Sequence, residues 1–307
     1  MGMSDPVKSV SRTIGPVGVI GLGNMGLAMA MNLVGSGFEV IGTDLIAEFR
    51  NALNKAGGTA VADAGEVGKR CRHIILSLPS EAALHAVCAD LSANGARGTI
   101  VIETGTLPLT GKRKACDLLA GCGITLLDCP LSGTGAQARN RDLAVYASGN
   151  AKAIQECLPI IDGFARVCYD LGEFGNGMKM KLVANLLVAI HNVAAAEGIL
   201  LGVRSGLDPA TVVKVIGDGA GSSRMFQVRG PSMVDRTWDE AMITNTVWQK
   251  DLKLIGEALL AAESPAPLFS ATIPIYTAAL TSGHADHDTA AVYEVLERMA
   301  GLNPHAS

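Results

Sequence analysis

The 307-residue sequence has few aromatic residues and no concentration of positive charge. Aromatic residues make up 4% of it, and its formal net charge is −4. Proteins that bind nucleic acid carry a basic patch, so we expect no nucleic-acid partner. The sequence contains seven cysteines but no Cys-x-x-Cys pair. An odd, dispersed set is typical of reduced thiols and not of a disulfide framework, which predicts a cytoplasmic protein.

A cleavable targeting signal is also missing from the pattern. Residues 1–14 are polar and lack an apolar core, so we interpret them as a flexible leader and not as a signal peptide. The apolar run Leu182–Val203 is long enough to cross a membrane, but it includes Asn185, Asn192 and Glu197. Polar and charged side chains are costly inside a bilayer, so we expect a core helix and no membrane contact.

The length of the chain exceeds the size at which single cores stop growing, which predicts two domains. In the first part, short apolar strands alternate with helical segments, the pattern of a doubly wound, mostly parallel sheet. The second part contains only helical patterns. We therefore predict an α/β, Rossmann-type domain over residues 15–174 and an all-α domain over residues 175–307, joined by a long interdomain helix. The expected strands are Val17–Ile20, Glu39–Thr43, Ile74–Leu78, Thr99–Glu103, Thr125–Asp128, Ala144–Ser148 and Arg166–Asp170, and the expected C-terminal helices span 178–205, 209–217, 223–234, 245–262, 267–282 and 288–301.

A dinucleotide-binding fingerprint, Gly21-Leu-Gly23-Asn24-Met25-Gly26, follows the first predicted strand and opens a helix. The first glycine allows a tight turn, the second lets the backbone approach the pyrophosphate, and the third lets helix pack on strand. The helix N-terminus then offers amides to the phosphates. The order of strand, glycines, helix, strand and acid predicts a cofactor site and not merely a structural turn.

Asp44 ends the second strand and predicts the choice of cofactor. A carboxylate there accepts hydrogen bonds from the ribose hydroxyls of NAD and repels the 2′-phosphate of NADP. The next residues are apolar, and Arg50 lies a helical turn or more away. NAD is therefore expected over NADP. Asp44 is also compatible with a helix N-cap, and both roles can coexist.

Lys181 begins the long apolar helix and has Asn185 four residues later, on the same helical face. A single ammonium and a single amide thus project together from an otherwise apolar helix. Together with the fingerprint, the pair predicts a hydride-transfer enzyme with a lysine acid/base. The simpler alternative is a lysine that reaches solvent at the start of a helix, where the helix dipole disfavours a cation.

Four ordered motifs resemble the β-hydroxyacid dehydrogenase family, which includes 3-hydroxyisobutyrate dehydrogenase, 2-hydroxy-3-oxopropionate reductase and the 6-phosphogluconate dehydrogenases. The resemblance covers nearly the whole chain. Its motifs are the fingerprint with Asp44; Asp128-Cys-Pro-Leu-Ser132-Gly133-Thr134, similar to the family's substrate loop; Gly175-x-Gly177-x-x-x-Lys181-x-x-x-Asn185, similar to its catalytic segment; and Lys250-Asp251-Leu252, similar to a segment whose lysine borders the cofactor.

The resemblance implies a role for each matching residue. Ser132, with the backbone amides of Gly133 and Thr134, would bind the substrate carboxylate. Lys181 would take the proton of the substrate hydroxyl, and Asn185 would position that hydroxyl by hydrogen bonds. Lys250 would lie beside the cofactor and help to lower the pKa of Lys181.

Two departures from the family concern the substrate and not the reaction. Thr134 stands where the family usually has a second glycine, and Arg141 stands at a position that is usually small. The substrate loop could also be a plain structural turn, since its residues are good turn formers.

Further cofactor contacts are expected beyond the carboxyl ends of other strands. Leu78 and Pro79 follow one strand, and Thr106 follows the next, in a segment that resembles the family's Asp-x-Ser-Thr. Thr106 could equally be a helix N-cap. The segment from His284 to Asp288 is rich in imidazole and carboxylate, but we interpret it as a polar loop between helices and expect no metal.

The predicted function is transfer of hydride between NAD and a small 3-hydroxy acid, 3-hydroxyisobutyrate-like or 2-hydroxy-3-oxopropionate-like. The partner is therefore a small carboxylate. Two alternatives stay open: a short-chain aldehyde reductase acting on glyoxylate or succinic semialdehyde, and a non-catalytic dinucleotide-binding protein. The apolar C-terminal half predicts a homodimer or homotetramer.

Overall fold

The computed structural model describes residues 14–302. The expected leader over residues 1–14 lies, apart from Ile14, outside the described residues. The chain divides into two compact units, with the division between Lys181 and Leu182. We call them the N-terminal unit and the C-terminal unit. The division falls a few residues after the predicted boundary because the helix that starts near Gly175 packs its first turns within the N-terminal unit.

The N-terminal unit alternates strands and helices along the chain. Its strands are β1 Val17–Ile20, β2 Val40–Thr43, β3 Thr59–Ala60, β4 His73–Leu76, β5 Ile100–Glu103, β6 Thr125–Asp128, β7 Leu131–Ser132, β8 Ala144–Ala147 and β9 Val167–Asp170. Its helices are α1 Asn24–Gly35, α2 Ala47–Lys55, α3 Ala64–Arg70, α4 Glu81–Asn94, α5 Leu109–Gly121, α6 Gly135–Arg139 and α7 Ala151–Phe164.

Six parallel strands form the main sheet, in the order β3-β2-β1-β4-β5-β6. Successive side chains of a strand point to opposite faces, and both faces of this sheet are covered. Ile75, for example, belongs to one apolar cluster, whereas Ile74 and Leu76 belong to the other. The strand order reverses between β1 and β4. In open α/β sheets this switch point is where ligands bind.

The last three strands of the unit form a separate sheet in the order β7-β8-β9. β7 runs antiparallel to β8, and β8 runs parallel to β9. The sequence predicted β8 and β9 but assigned them to one doubly wound sheet. β3 and β7 were not predicted because each is only two residues long and carries no detectable periodicity.

The C-terminal unit is helical throughout its described residues. Its long first helix, α8, begins in the N-terminal unit and spans Asn176–Arg204. The later helices are α9 Pro209–Gly217, α10 Arg224–Asp235, α11 Asn245–Ala261, α12 Pro267–Ala279, a π-helical turn Leu280–His284, a 3₁₀ turn Thr289–Ala291 and α13 Val292–Met299. The α/β fold followed by helices confirms the predicted fold class.

Helix α8 is long and apolar enough to cross a membrane by length and composition. Two of its polar residues instead belong to the core of the C-terminal unit. Asn185 donates to Asp251 Oδ2 at 3.1 Å. Asn192 is fully buried and donates to the Tyr276 hydroxyl at 3.2 Å and to the Thr289 carbonyl at 2.9 Å. These bonds support the interpretation of α8 as a core helix.

Candidate active site

The predicted cofactor residues of the N-terminal unit follow the carboxyl ends of neighbouring parallel strands. The Gly21–Gly26 loop follows β1, Asp44 follows β2, Leu78 and Pro79 follow β4, and Thr106 follows β5. Carboxyl ends of parallel strands meet at one edge of a sheet. The fold therefore gathers these residues, from separate parts of the sequence, at the switch-point edge.

The three fingerprint glycines have three different surroundings. Gly21 has φ 88° and makes the tight turn, and a Cβ there would lie 2.2 Å from the Ser77 carbonyl oxygen. A Cβ on Gly26 would lie 1.9 Å from the Gly21 oxygen, so only glycine lets helix and loop pack. A Cβ on Gly23 would meet nothing within 4 Å. The second glycine thus borders open space, as a pyrophosphate site requires.

Helix α1 begins at this open side. Its N-cap is Gly23, which provides no side-chain cap, and Asn24 and Met25 are its first residues. Helix N-termini without a capping side chain present their amides to an anion. The loop therefore fits the phosphates of a dinucleotide.

The Asp44 carboxylate is fixed at the edge of the fingerprint loop. Its Oδ2 accepts from the Leu22 amide at 2.6 Å, and its Oδ1 accepts from the Ile46 amide at 2.8 Å. The carboxylate retains lone pairs that ribose hydroxyls can use. Arg50 was expected to lie away from the ribose site, because it follows Asp44 by six residues. Its guanidinium instead donates to the Asp44 and Leu45 carbonyls. A cation therefore lies close to the predicted ribose site.

The next strand ends present partly exposed residues to the same edge. Leu78 and Thr106 are partly exposed, and Pro79 is exposed. Gly105, where the family motif has serine, donates its amide to Glu103 Oε1 at 2.7 Å. A Cβ on Gly105 would lie 2.7 Å from the same oxygen, so the buried Glu103 requires a glycine at this position.

The predicted substrate loop is braced by a capping box. Ser132 ends β7 and is partly exposed. Gly133 has φ 141°, and a Cβ on it would lie 2.6 Å from Leu143 Cδ2. The Thr134 hydroxyl accepts from the Gln137 amide at 3.3 Å, and the Thr134 amide donates to Gln137 Oε1 at 3.0 Å. Thr134 is therefore the N-cap of α6, and its amide already donates to Gln137. A substrate carboxylate would compete with Gln137 for it.

The unusual residues near position 141 support this brace. Asp142 accepts from Gln137 Nε2 at 3.0 Å and from Arg166 Nε at 2.8 Å. Arg141 adopts φ 57° and donates to the Asp162 carbonyl. Asp142 therefore orders the loop through Gln137. The Arg141 guanidinium is hydrogen-bonded to α7.

Lys181 lies in the second turn of α8 and is partly exposed. The first turn of this helix is attached to buried residues that the sequence analysis did not assign to the site. Asp128 Oδ2 accepts from the Met178 amide at 2.8 Å, and Ser148 Oγ accepts from the Gly177 amide at 2.9 Å. The sequence carries only a weak signal for them: Asp128 opens the substrate-loop motif, and Gly177 belongs to the catalytic motif.

The C-terminal unit brings Asn185 and the Lys250 segment together through Asp251. Asn185 and Asp251 are both buried, and the Asn185 amide nitrogen donates to Asp251 Oδ2. Lys250 Nζ lies 3.9 Å from Asp251 Oδ1, and the Lys250 side chain is exposed. Asp251 therefore orients the Asn185 amide and ties the third motif to the fourth. The sequence analysis quoted Asp251 but gave it no role.

The imidazole-rich segment forms a local network. His284 Nδ1 lies 2.9 Å from His287 Nδ1, and His284 Nε2 lies 3.5 Å from Glu294. Asp288 caps the 3₁₀ turn and forms a buried ion pair with Arg229 at 2.9 Å. Over residues 14–302 no group of three or more His, Cys, Asp or Glu side chains is arranged to bind a metal ion.

Comparison with known proteins identifies two matching domain families. Residues 16–172 match the NAD binding domain of 6-phosphogluconate dehydrogenase, and residues 175–296 match the family described as NAD-binding of NADP-dependent 3-hydroxyisobutyrate dehydrogenase. The two matches meet between residues 172 and 175, close to the predicted domain boundary.

Individual relatives match more than nine-tenths of the chain. An L-threonate dehydrogenase of Cupriavidus necator is 33% identical, covering 91% of this chain and 95% of its own. Glyoxylate/succinic semialdehyde reductase 1 of Arabidopsis thaliana is 30% identical, covering 92% and 98%. The solved structure of Mycobacterium tuberculosis 3-hydroxyisobutyrate dehydrogenase with L-serine superimposes with a TM-score of 0.84 at 26% identity, covering 92% and 99%.

Proposed function

Since this chain belongs to the β-hydroxyacid dehydrogenase family, we propose that it transfers hydride between NAD and a small 3-hydroxy acid, with Lys181 as the general acid/base. The chain is an NAD(P)-dependent dehydrogenase that acts on a CH–OH group, and its cofactor is NAD. The identity of the acid and the roles of individual residues are the proposal.

One observation supports it above the others. Asp128, the first residue of the predicted substrate loop, accepts the Met178 amide at the start of the helix that bears Lys181. Asp128 lies four residues before Ser132, and Met178 lies three residues before Lys181. The buried hydrogen bond therefore holds together the two segments that carry the predicted carboxylate site and the predicted acid/base.

The chemistry assigns a task to each residue. The Gly21–Gly26 loop would hold NAD, which when bound would supply the acceptor for the hydride of the hydroxyl-bearing carbon. Lys181 Nζ takes the proton of that hydroxyl as the carbonyl forms, and in the reverse direction its ammonium returns the proton. Ser132 binds the substrate carboxylate, and Asn185, oriented by Asp251, accepts or donates at the hydroxyl.

L-Threonate is the first substrate to test. The C. necator relative is named for it, and L-threonate carries a hydroxyl group on its third carbon. The L-serine in the mycobacterial structure is likewise a carboxylate with a 3-hydroxyl group. We propose that the substrate is an acid of this class, of about four carbons, and that 3-hydroxyisobutyrate and 2-hydroxy-3-oxopropionate are the neighbouring candidates.

A substrate panel tests this proposal. The purified protein is incubated with NAD and L-threonate, L-serine, 3-hydroxyisobutyrate or glycerate, and NADH is followed at about 340 nm. We expect one 3-hydroxy acid to exceed the others in kcat/KM by about tenfold or more, which corresponds to ~1.4 kcal/mol in the transition state. Turnover of none of them, with NADH binding intact, would contradict the proposed substrate class.

A short-chain aldehyde reductase is the second candidate, because the A. thaliana relative is named as one. The same assay in reverse, with NADH and glyoxylate or succinic semialdehyde, separates the two. A kcat/KM for an aldehyde above that for every 3-hydroxy acid would favour the reductase. A non-catalytic binding protein is disfavoured because it would need neither Lys181 nor Asn185.

We also propose that the protein acts in the cytoplasm. All seven cysteines are free. Burial raises the pKa of the Cys71, Cys88 and Cys157 thiols to about 12, which keeps them protonated and unreactive near neutral pH. Thiols of this kind fit a reducing compartment.

A further inference from the structure

Helix α8 begins without a local capping side chain. The residue before it is Gly175, whose φ of 97° is a left-handed conformation and which has no side chain to offer. The amides of the first turn have no partners within a helix and must be satisfied from elsewhere. In helices α3, α4, α7 and α9 a neighbouring Asp, Ser or Asn provides this cap.

Two residues from distant parts of the sequence cap α8 instead. Ser148 Oγ accepts from the Gly177 amide at 2.9 Å and from the Gly175 amide at 3.2 Å. Asp128 Oδ2 accepts from the Met178 amide at 2.8 Å. Ser148 Oγ in turn donates to Asp128 and lies 3.2 Å from both its carbonyl oxygen and its Oδ2. Asp128 and Ser148 are also paired through their backbones, at 3.0 and 2.8 Å.

The start of the helix fits closely against these residues. A Cβ on Gly177 would lie 2.2 Å from the Tyr146 carbonyl oxygen and 2.7 Å from the Asp128 carbonyl oxygen. Such separations do not occur for real side chains, so only glycine allows the helix to reach its caps. This explains both glycines of the Gly175-x-Gly177 motif, which the proposed chemistry does not use.

The Asp128 carboxylate is paired with a buried lysine. Lys112 Nζ lies 2.6 Å from Asp128 Oδ1 and 2.6 Å from Glu103 Oε2, and all three side chains are fully buried. Burial alone lowers the pKa of Lys112, but the two carboxylates outweigh it and raise that pKa above its usual value. Burial raises the pKa of the Glu103 carboxyl, and the Lys112 ammonium opposes that rise. The positive end of the α8 dipole lies at Asp128.

We propose that Asp128 and Ser148 are positioning residues that fix the first turn of α8 and thereby place Lys181 for proton transfer. Lys112 supports them by holding Asp128. The inference rests on the proposed acid/base role of Lys181. Lys181 follows Gly177 by four residues, so it stands on the same helical face, one turn beyond the capped amides. A misplacement of about 1 Å in a reacting group can cost about 10²-fold in rate.

Both oxygens of Asp128 are in use, which makes a conservative substitution informative. Asp128→Asn keeps the shape but has one acceptor oxygen, so it loses either the Lys112 contact or the Met178 amide. Ser148→Ala loses the Gly177 cap directly. The controls are Asp63→Ala and Asn150→Ala, which remove a side-chain cap from α3 and α7. Neither of these helices carries a proposed catalytic residue.

The experiment measures kcat and KM for NAD and substrate, and the amide hydrogen exchange of residues 175–185, well below the melting temperature of each variant. For Asp128→Asn and Ser148→Ala we expect kcat to fall about 10- to 100-fold with KM for NAD little changed. We also expect faster exchange in the first turn of α8. The controls should lower Tm while leaving kcat and this segment's exchange near wild type.

Lys181→Ala, measured alongside, separates the two ideas. If that variant keeps its turnover, the proposed function is wrong. If it loses turnover while Asp128→Asn and Ser148→Ala behave like their controls, Asp128 and Ser148 are purely structural and the inference is overturned. Faster exchange without any loss of kcat would overturn it as well, because the helix start would then not govern Lys181.

Discussion

At the scale of single residues, we propose that Asp44 and Arg50 set the balance between NAD and NADP. Asp44 is aligned by two backbone amides, and Leu45 beside it is fully exposed. Two unit charges about 4 Å apart repel by roughly 4 kcal/mol at an effective dielectric of ~20, and solvent lowers this. A 2′-phosphate would meet that repulsion. Arg50, held at the Asp44 carbonyl, provides a nearby positive charge that the sequence did not place there.

Removing the Asp44 carboxylate should therefore shift the cofactor preference in two steps. We expect wild type to favour NAD over NADP by about 10- to 10³-fold in kcat/KM. Asp44→Ser should reduce the ratio, because the repulsion is gone and Arg50 remains. Asp44→Ser with Leu45→Arg should move it further, since a second guanidinium can bind the phosphate.

The measurement is kcat/KM for both cofactors on all three proteins at one ionic strength. Arg50→Ala in the Asp44→Ser background is the control. It should abolish the gain in kcat/KM for NADP that Asp44→Ser alone produces. Equal use of both cofactors by wild type, or an unchanged ratio of the two kcat/KM values in the double variant, would contradict this role. Asp44 would then serve only to bind the Leu22 and Ile46 amides.

The sequence located residues that belong to compact motifs and missed those that act through distant contacts. Lys181, Asn185 and the fingerprint glycines have fixed spacings that can be read along the chain. Asp128 and Ser148 cap a helix that begins far along the chain from each of them, and no local pattern reveals such a contact. Thr134 also has the capping-box spacing with Gln137, a signal in the sequence that the prediction did not use.

At the scale of elements, the sequence predicted strands that are buried on both faces. β1 and β6 match their predicted bounds, because a continuous β-branched or aliphatic run ends at a turn on each side. β3 and β7 are two residues long, and backbone pairing, not side-chain pattern, defines them. The pattern of residues along the chain likewise could not show that β7, β8 and β9 form a separate sheet.

Helix ends were predicted where capping residues mark them. Asp208 caps α9 and Pro209 opens it, and the predicted span of that helix matches the structure. The predicted helix over 267–282 instead ends at Ala279 and continues as a π-helical turn. Gly283 has φ 92° there, and the pattern of apolar residues does not register such a change of helix type.

At the scale of the whole molecule, the C-terminal unit exposes several large apolar side chains. On α8, Val183 is 56% and Leu201 69% exposed, and Leu187 is exposed as well. Val215 of α9 and Leu260 of α11 are further examples. Contiguous apolar surface of this kind marks interaction sites, so we propose that the unit packs against another copy of the chain.

We expect a dimer or a larger even oligomer at micromolar concentration, measured by light scattering. Leu187→Glu with Leu201→Glu should lower the measured mass, because a charge on each α8 would be buried in the interface. Leu118→Glu is the control, since Leu118 is an exposed leucine of the N-terminal unit. A monomeric wild-type protein would refute the proposal.

The central claim is that Lys181 transfers the proton while hydride passes to NAD, and Lys181→Ala tests it most directly. The measurement is the single-turnover rate of NADH formation with the best substrate of the panel, together with the Kd for NADH. The account predicts a fall of about 10² to 10⁴ in rate, the usual contribution of a general acid/base, with NADH binding nearly unchanged. A correctly folded variant that forms NADH at the wild-type rate would contradict it.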